Sequence, residues 1–320
     1  MKKFIAFSIL VSLFSCKEAI KNEPVLVTEN TFAEIQFVEP EITNSNAVNS
    51  VEDLLGYWVG NFQADITQEQ FDSITMADKD LFIEKSYSLM NRKITFSIDE
   101  IKEDSIFGHS IVAGNISPFK GVLKQNHSAI NFKVEEFLKS KYDGTFEMYV
   151  LKKDTILDGN WSAYNPKDIK ISKRKCKLQK KMFVYDIENK LDYSFKDTDK
   201  SKTIKYTDTI DGEVEEYEDF EFYSTTDKIF EKNASKELLE KEFVANLTKA
   251  DIFILRNSIF ARHGFAFRDK QLRIYFESFD WYMPVFGDVK DDLTEIEKQN
   301  IDLLLRYEQN AAEYYDTFGR

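Results

Sequence analysis

The sequence predicts an α+β protein: an antiparallel β-barrel-like domain followed by a small helical one. Three observations carry this reading. Between residues 51 and 185, apolar residues recur at every second position in a series of short runs, the period of strands with one face buried. Short polar joints separate most of these runs, so neighbours can pair as a meander, which tends towards closure. From about residue 235 the apolar period changes to that of helices. A β-sandwich or an open barrel satisfies the same alternation.

The chain opens with "MKK", a positive start, and then "FIAFSILVSLF", an apolar run of eleven residues. That run is too short to span a bilayer as a helix and has the length of a secretory signal. It ends in "SLFSC", which resembles the lipobox of bacterial lipoproteins, with Leu13, the small Ser15 and then Cys16 as the lipid acceptor. Phe14 departs from the pattern, where a smaller residue is usual. The resemblance implies a signal peptide at 1–15, a lipidated Cys16 carrying several acyl chains, and stable membrane anchoring, since one chain alone binds only marginally. Lys17 and Glu18 follow the cysteine where an Asp would favour the inner membrane. The implied location is therefore the outer membrane, on its periplasmic or its surface-exposed face. Residues 16–50 have no sustained period and contain Pro24 and Pro40. They read as a flexible tether with a reach of roughly 30 Å.

The formal net charge of −13 argues against a nucleic-acid partner, because non-specific affinity rests on neutralising phosphates. The other cysteine, Cys176, sits in a strand-like run and reads as a small core residue. With Cys16 acylated no intramolecular disulfide is available, so the fold depends on its core.

The barrel-like domain is placed at 51–185. "KITFSID" puts Ile94, Phe96 and Ile98 on one face, and "AINFKVEEF" does the same with Ile130, Phe132 and Val134. "KEDSI" (102–106) and "KKDTI" (152–156) are near copies, each where a hairpin turn is needed. One helical pattern interrupts the runs at 68–90. "GYWVGNF" (56–62) resembles the G-x-W start of lipocalin-like barrels through Gly56 and Trp58. That resemblance implies a tryptophan plugging one barrel end with a basic residue of the last strand across it, a place assigned to Arg174. Residues 170–181 hold seven basic residues in twelve and read as a solvated strand face. Asp211-Gly212 between alternating runs signals a hairpin within a connector at 186–230.

The helical domain is placed at 231–320. Thr248 and Asp251 form a capping-box pair, Leu247 and Ile252 a hydrophobic staple, and Gly264 a left-handed helix end. Thr294 and Glu297 repeat the capping box. On a helical wheel from Ile252, Arg256 and His263 fall on the apolar face and Arg262 at its edge. A buried guanidinium needs a partner, and Asp280 and Glu297 are the candidates for Arg256. Residues 247–305 resemble the YARHG domain: "LRNSIFARHGFAFRDKQLRIYF", then Trp281, Tyr282 and Pro284, then an acidic helix start. Phe260 stands where the family has tyrosine. The resemblance implies a cell-envelope module with no established activity. Arg256, Asn257 and Gly264 are expected to be structural, and Arg262, His263, Trp281 and Tyr282 to be binding candidates.

"GHSIV" (108–112) lacks the second glycine of a nucleophile elbow. The three histidines are scattered, without metal-ligand spacing. The expectation is a lipid-anchored, non-catalytic envelope protein with a binding or structural role, no cofactor and no metal, its partner an envelope protein or a glycan. The alternatives are a carrier of a small apolar ligand in the barrel and a hydrolase of wall polymers.

Overall fold

In-phase residues of the strand-like runs meet on the inside of a closed eight-stranded barrel. A computed structural model of the chain describes residues 47–76, 89–210 and 213–311. Cys16, the stretch 1–15 expected to be a signal peptide, most of the expected tether, residues 77–88 of the helical pattern at 68–90 and the Asp211-Gly212 pair lie outside the described residues. The strands are β1 (Gly56–Ala64), β2 (Asn91–Lys102), β3 (Ser105–Val112), β4 (Asn115–Gln125), β5 (Ala129–Glu136), β6 (Gly144–Leu151), β7 (Ile156–Ala163) and β8 (Lys173–Lys181). Each pairs antiparallel with the next, and β8 closes on β1. Helix α1 (Gln68–Met76) lies between β1 and β2.

The near-copied joints both place their second residue, Glu103 and Lys153, at positive φ. Only the first closes a two-residue hairpin, with Lys102 opposite Ser105, whereas the second is longer and bonds to Val48. Inside the barrel, Phe96 stacks on Phe119 at 4.3 Å between ring centroids and meets Phe146 edge-on. Ile94, Ile130, Leu157 and Leu178 fill the space around them. Cys176 is buried among these residues as a free thiol.

Trp58 is fully buried towards one end of the barrel, donating its indole N–H to the Leu54 carbonyl at 2.7 Å. The basic residue across it is Lys180, not Arg174. Lys180 is the β8 partner of Trp58, lies 6.0 Å from its ring and also donates to the Asp53 carbonyl. Arg174 is six residues away along β8, opposite Ala64, which is about 20 Å at the rise of a strand. Both point inward because they share parity with Cys176 and Leu178. The lysines between them point out and are exposed.

After the barrel, β9 (Lys196–Ile210) and β10 (Glu213–Ser224) pair as an antiparallel ribbon, with Ile210 opposite Glu213. The helical domain follows: α2 (Lys241–Ala245), α3 (Lys249–Arg262), α4 (Lys270–Glu277) and α5 (Glu295–Glu308). Both capping boxes are formed. Gly264, at φ 73°, closes α3. Its N–H reaches the Ala261 carbonyl, and the Phe265 N–H reaches Phe260, the paired bonds of a Schellman ending. The rings of Phe260 and Phe265 sit 6.1 Å apart across that turn, supplying the apolar contact that accompanies such endings.

Barrel and helices belong to one unit, residues 39–320. Val59 on the outer wall packs with Met283 and Val285. Lys93 donates its ammonium to the carbonyls of Phe279 and Tyr282 at 2.8 and 2.9 Å. Burial pushes that ammonium down to about 8, partly offset by Glu277.

Candidate functional site

The "ARHG" motif is an internal clasp. Arg262 is 3% exposed. It was expected at the edge of the apolar face, yet it is the most deeply buried arginine of α3. The reason is that α3 has no solvent side there: the segment following the barrel covers it. Arg262 donates to the Asn189 carbonyl at 2.9 Å and to the hydroxyls of Ser235 and Ser258. Burial pushes its pKa down to about 10, offset by Tyr185 and Glu297.

His263 stacks on Tyr185 at 4.2 Å, and its Nε2 is 2.8 Å from Glu297. The Tyr185 hydroxyl donates to the other oxygen of Glu297. Burial alone would raise the Glu297 carboxyl, but hydrogen bonds from His263, Ser235 and Thr294 outweigh it and hold it at about 2. Tyr282 is buried, its hydroxyl on the Phe265 carbonyl, and Trp281 is partly buried, its indole N–H on the Lys190 carbonyl. The four binding candidates thus all make internal contacts and do not converge on a cleft.

Arg256 also departs from expectation. It is partly exposed and pairs with Glu308 at 3.1 Å, not with Asp280 or Glu297. Asn257 is buried and donates to the Phe253 carbonyl. A single ion pair still reached by solvent, as Arg256–Glu308 is at 19% and 29% side-chain exposure, contributes less than a buried guanidinium bonded to three groups, whose removal leaves its acceptors unpaired. Arg256→Ala should therefore cost about 1 kcal/mol and Arg262→Ala about 3 kcal/mol. Urea denaturation of the two variants checks this order, and equal losses would contradict it.

The convergent site lies at the barrel mouth opposite Trp58. A cavity of about 570 Å³ opens there, and all eight strands supply lining residues. Its floor is aromatic, from Phe62, Phe146 and Trp161. Its wall is polar: Arg92, Ser110, Ser117, Glu136 and Arg174 come from the strands and Arg273 from α4. Exposed Lys141, Lys170 and Arg268 stand at the rim with Asp168.

Arg174 lies 5.1 Å from the Phe62 ring and donates to the carbonyls of Phe62, Leu89 and Met90. Burial, then the charge of Arg92, pushes it down to about 9. Glu136 accepts from Ser110 at 2.6 Å, from the Gly144 N–H at 2.9 Å and from the Trp161 indole at 3.1 Å. Burial still raises it to about 7, against those hydrogen bonds.

Sequence reasoning placed only Arg174 of these residues, and in another role. Arg92 shares the parity of Ile94, Phe96 and Ile98, and Glu136 that of Ile130, Phe132 and Val134. A charged residue in phase with an apolar strand face is the signal that could have found both. Nothing local marks Arg268 or Arg273 as their neighbours.

Residues 227–309 match the YARHG domain. The matched stretch holds Arg262, His263 and Glu297 of the clasp, whose partners Tyr185 and Asn189 precede it. It also holds Arg268 and α4, so the YARHG domain supplies Arg268 and Arg273 to the cavity. No curated protein and no solved structure matches the chain.

Proposed function

We propose that this chain is a lipid-anchored cell-envelope protein with a non-catalytic binding role, taking its ligand at the barrel mouth. The observation that carries this reading is the cavity itself. It is enclosed by every strand of the barrel and finished by α4, and its volume is in the range of small-molecule sites. The barrel interior beyond it is filled by Phe96, Phe119, Phe132 and Trp58. That favours a ligand at the mouth over an apolar one carried deep inside. Glu136 is engaged by three donors and Asp168 stands at the exposed rim, an arrangement that favours binding over hydrolysis by paired carboxylates.

The YARHG domain serves as one wall of the site, fixed to the barrel through Lys93 and the Val59 contact. The lipid anchor at Cys16 and the tether that follows would hold both domains beyond the headgroup layer, facing an envelope protein or glycan. Native mass spectrometry of protein purified from its own envelope should show a small-molecule adduct that is lost on denaturation. A bare chain throughout would count against the reading.

The anchor is tested separately. Intact mass of the mature N-terminus should correspond to a cysteine at position 16 carrying acyl chains, and Cys16→Ser should move the protein to the soluble fraction. An unmodified Cys16, or cleavage at another bond, would remove the anchor from this proposal.

A further inference from the structure

Three arginines share the inner wall of the cavity, and the fold leaves part of their chemistry unused. Arg92 is held below the ordinary arginine range by burial first and by the charge of Arg273 second. Arg174 feels Arg92 in the same way. Like charges brought together away from water destabilise the folded chain, and the fold offers them little relief. Arg174 spends its donors on three carbonyls. The Nε atoms of Arg92 and Arg273 are buried and have no hydrogen-bond partner among the described residues.

Glu277 is the nearby acid. It attracts Arg273, Lys93 and Arg92, accepts from the Lys93 N–H at 3.2 Å and does not line the cavity. The lining holds six basic side chains against Glu136 and Asp168, in a chain of net charge −13. This local reversal of sign is a field that gathers anions. The two terminal Nη–H groups of a guanidinium form a fork matched to the oxygens of a carboxylate or phosphate.

We infer that the cavity binds a small organic anion, its carboxylate or phosphate taken by Arg92 and Arg273 and its apolar body resting on Phe62, Phe146 and Trp161. The inference rests on the reading of the barrel mouth as a binding site. Arg92 belongs to the barrel and Arg273 to the YARHG domain, so the anion bridges the two domains. The positive rim of Lys141, Lys170 and Arg268 steers it in.

Calorimetric titration of the full mature chain with phenyl phosphate, benzoate and phenol tests this. One or both anions should bind, with affinity falling as salt rises, and phenol should bind far more weakly. Whether phosphate or carboxylate binds tighter identifies the head group. Arg92→Gln and Arg273→Gln should each weaken anion binding at least about tenfold. The thermal midpoint of Arg92→Gln without ligand should stay unchanged or rise, because a repulsion is relieved while Arg273 and Lys93 still compensate Glu277. Arg92→Lys, which keeps the charge and loses the fork, should also bind more weakly and guards against failure of the glutamine variant to fold.

Phenol binding as tightly as phenyl phosphate would overturn the anion inference while leaving the mouth a binding site. An Arg92→Gln variant that loses stability together with binding would make this arginine structural and also overturn it. Silence from all three probes at millimolar concentration would remove the anion inference, and an adduct in native mass spectrometry would then decide alone whether the mouth binds anything.

Discussion

Glu297→Ala should destabilise the chain by about 3–4 kcal/mol, the scale of breaking a buried charged contact. Glu297 is fully buried and serves four polar groups on three residues. It completes the N-cap of α5 through the Thr294 N–H and hydroxyl, receives the Tyr185 hydroxyl and meets Nε2 of His263. Truncation leaves those groups buried without their acceptor, on top of the loss of a capping interaction of about 1 kcal/mol. The carboxyl is held at about 2 against an ordinary 4.5. A carboxyl lowered in the folded state stabilises fully above its unfolded value and loses that contribution as pH falls through the folded one. The chain should therefore lose about 3 kcal/mol from this group between pH 4.5 and 2. Glu297→Gln keeps the shape and removes the titration, so its acid limb should be shallower than that of the parent. Parallel limbs, or a loss below about 1 kcal/mol for Glu297→Ala, would show that the clasp is not centred on this carboxylate.

The sequence carried the barrel strand by strand because strand period is local: each in-phase residue faces the core whatever its partners are. Both capping boxes and the Gly264 ending were legible for the same reason, being satisfied within a few residues. The failures begin where two elements must meet. Arg174 and Lys180 share parity on β8, and only the register with β1 tells which one stands across from Trp58. The helical wheel placed Arg262 at an edge because a wheel assumes one solvent side. α3 is packed around nearly its whole circumference, so its polar groups are buried with partners from residues 185–189, 235 and 297. The cavity was least legible of all. Arg92 and Arg273 are neighbours only because the barrel closes and the YARHG domain docks on its wall at β2.

Trp58→Ala should cost about 4 kcal/mol, the scale of emptying an aromatic site in a closely packed core. Trp58 is among the largest fully buried side chains in the chain. Its ring has Lys180 on one side and the turn Glu52–Leu54 bonded to its indole N–H. Alanine would leave a cavity among core side chains held on paired strands, which cannot close in without breaking ladder bonds, and would strip Lys180 of the aromatic face beside it. The loss should appear as a lower urea midpoint with an unchanged slope. A double-mutant cycle with Lys180→Met should give a coupling of about 1 kcal/mol between ring and ammonium. Phe62, the nearest floor residue of the arginine-lined cavity on the same strand, is four residues further along β1, about 13 Å at strand rise. Anion affinity at the mouth should therefore survive in whatever fraction of Trp58→Ala remains folded. A variant that keeps its urea midpoint would show that the closed end is held by other contacts. One that stays folded and loses anion binding would show that the two ends of the barrel are coupled, contrary to the independence expected here.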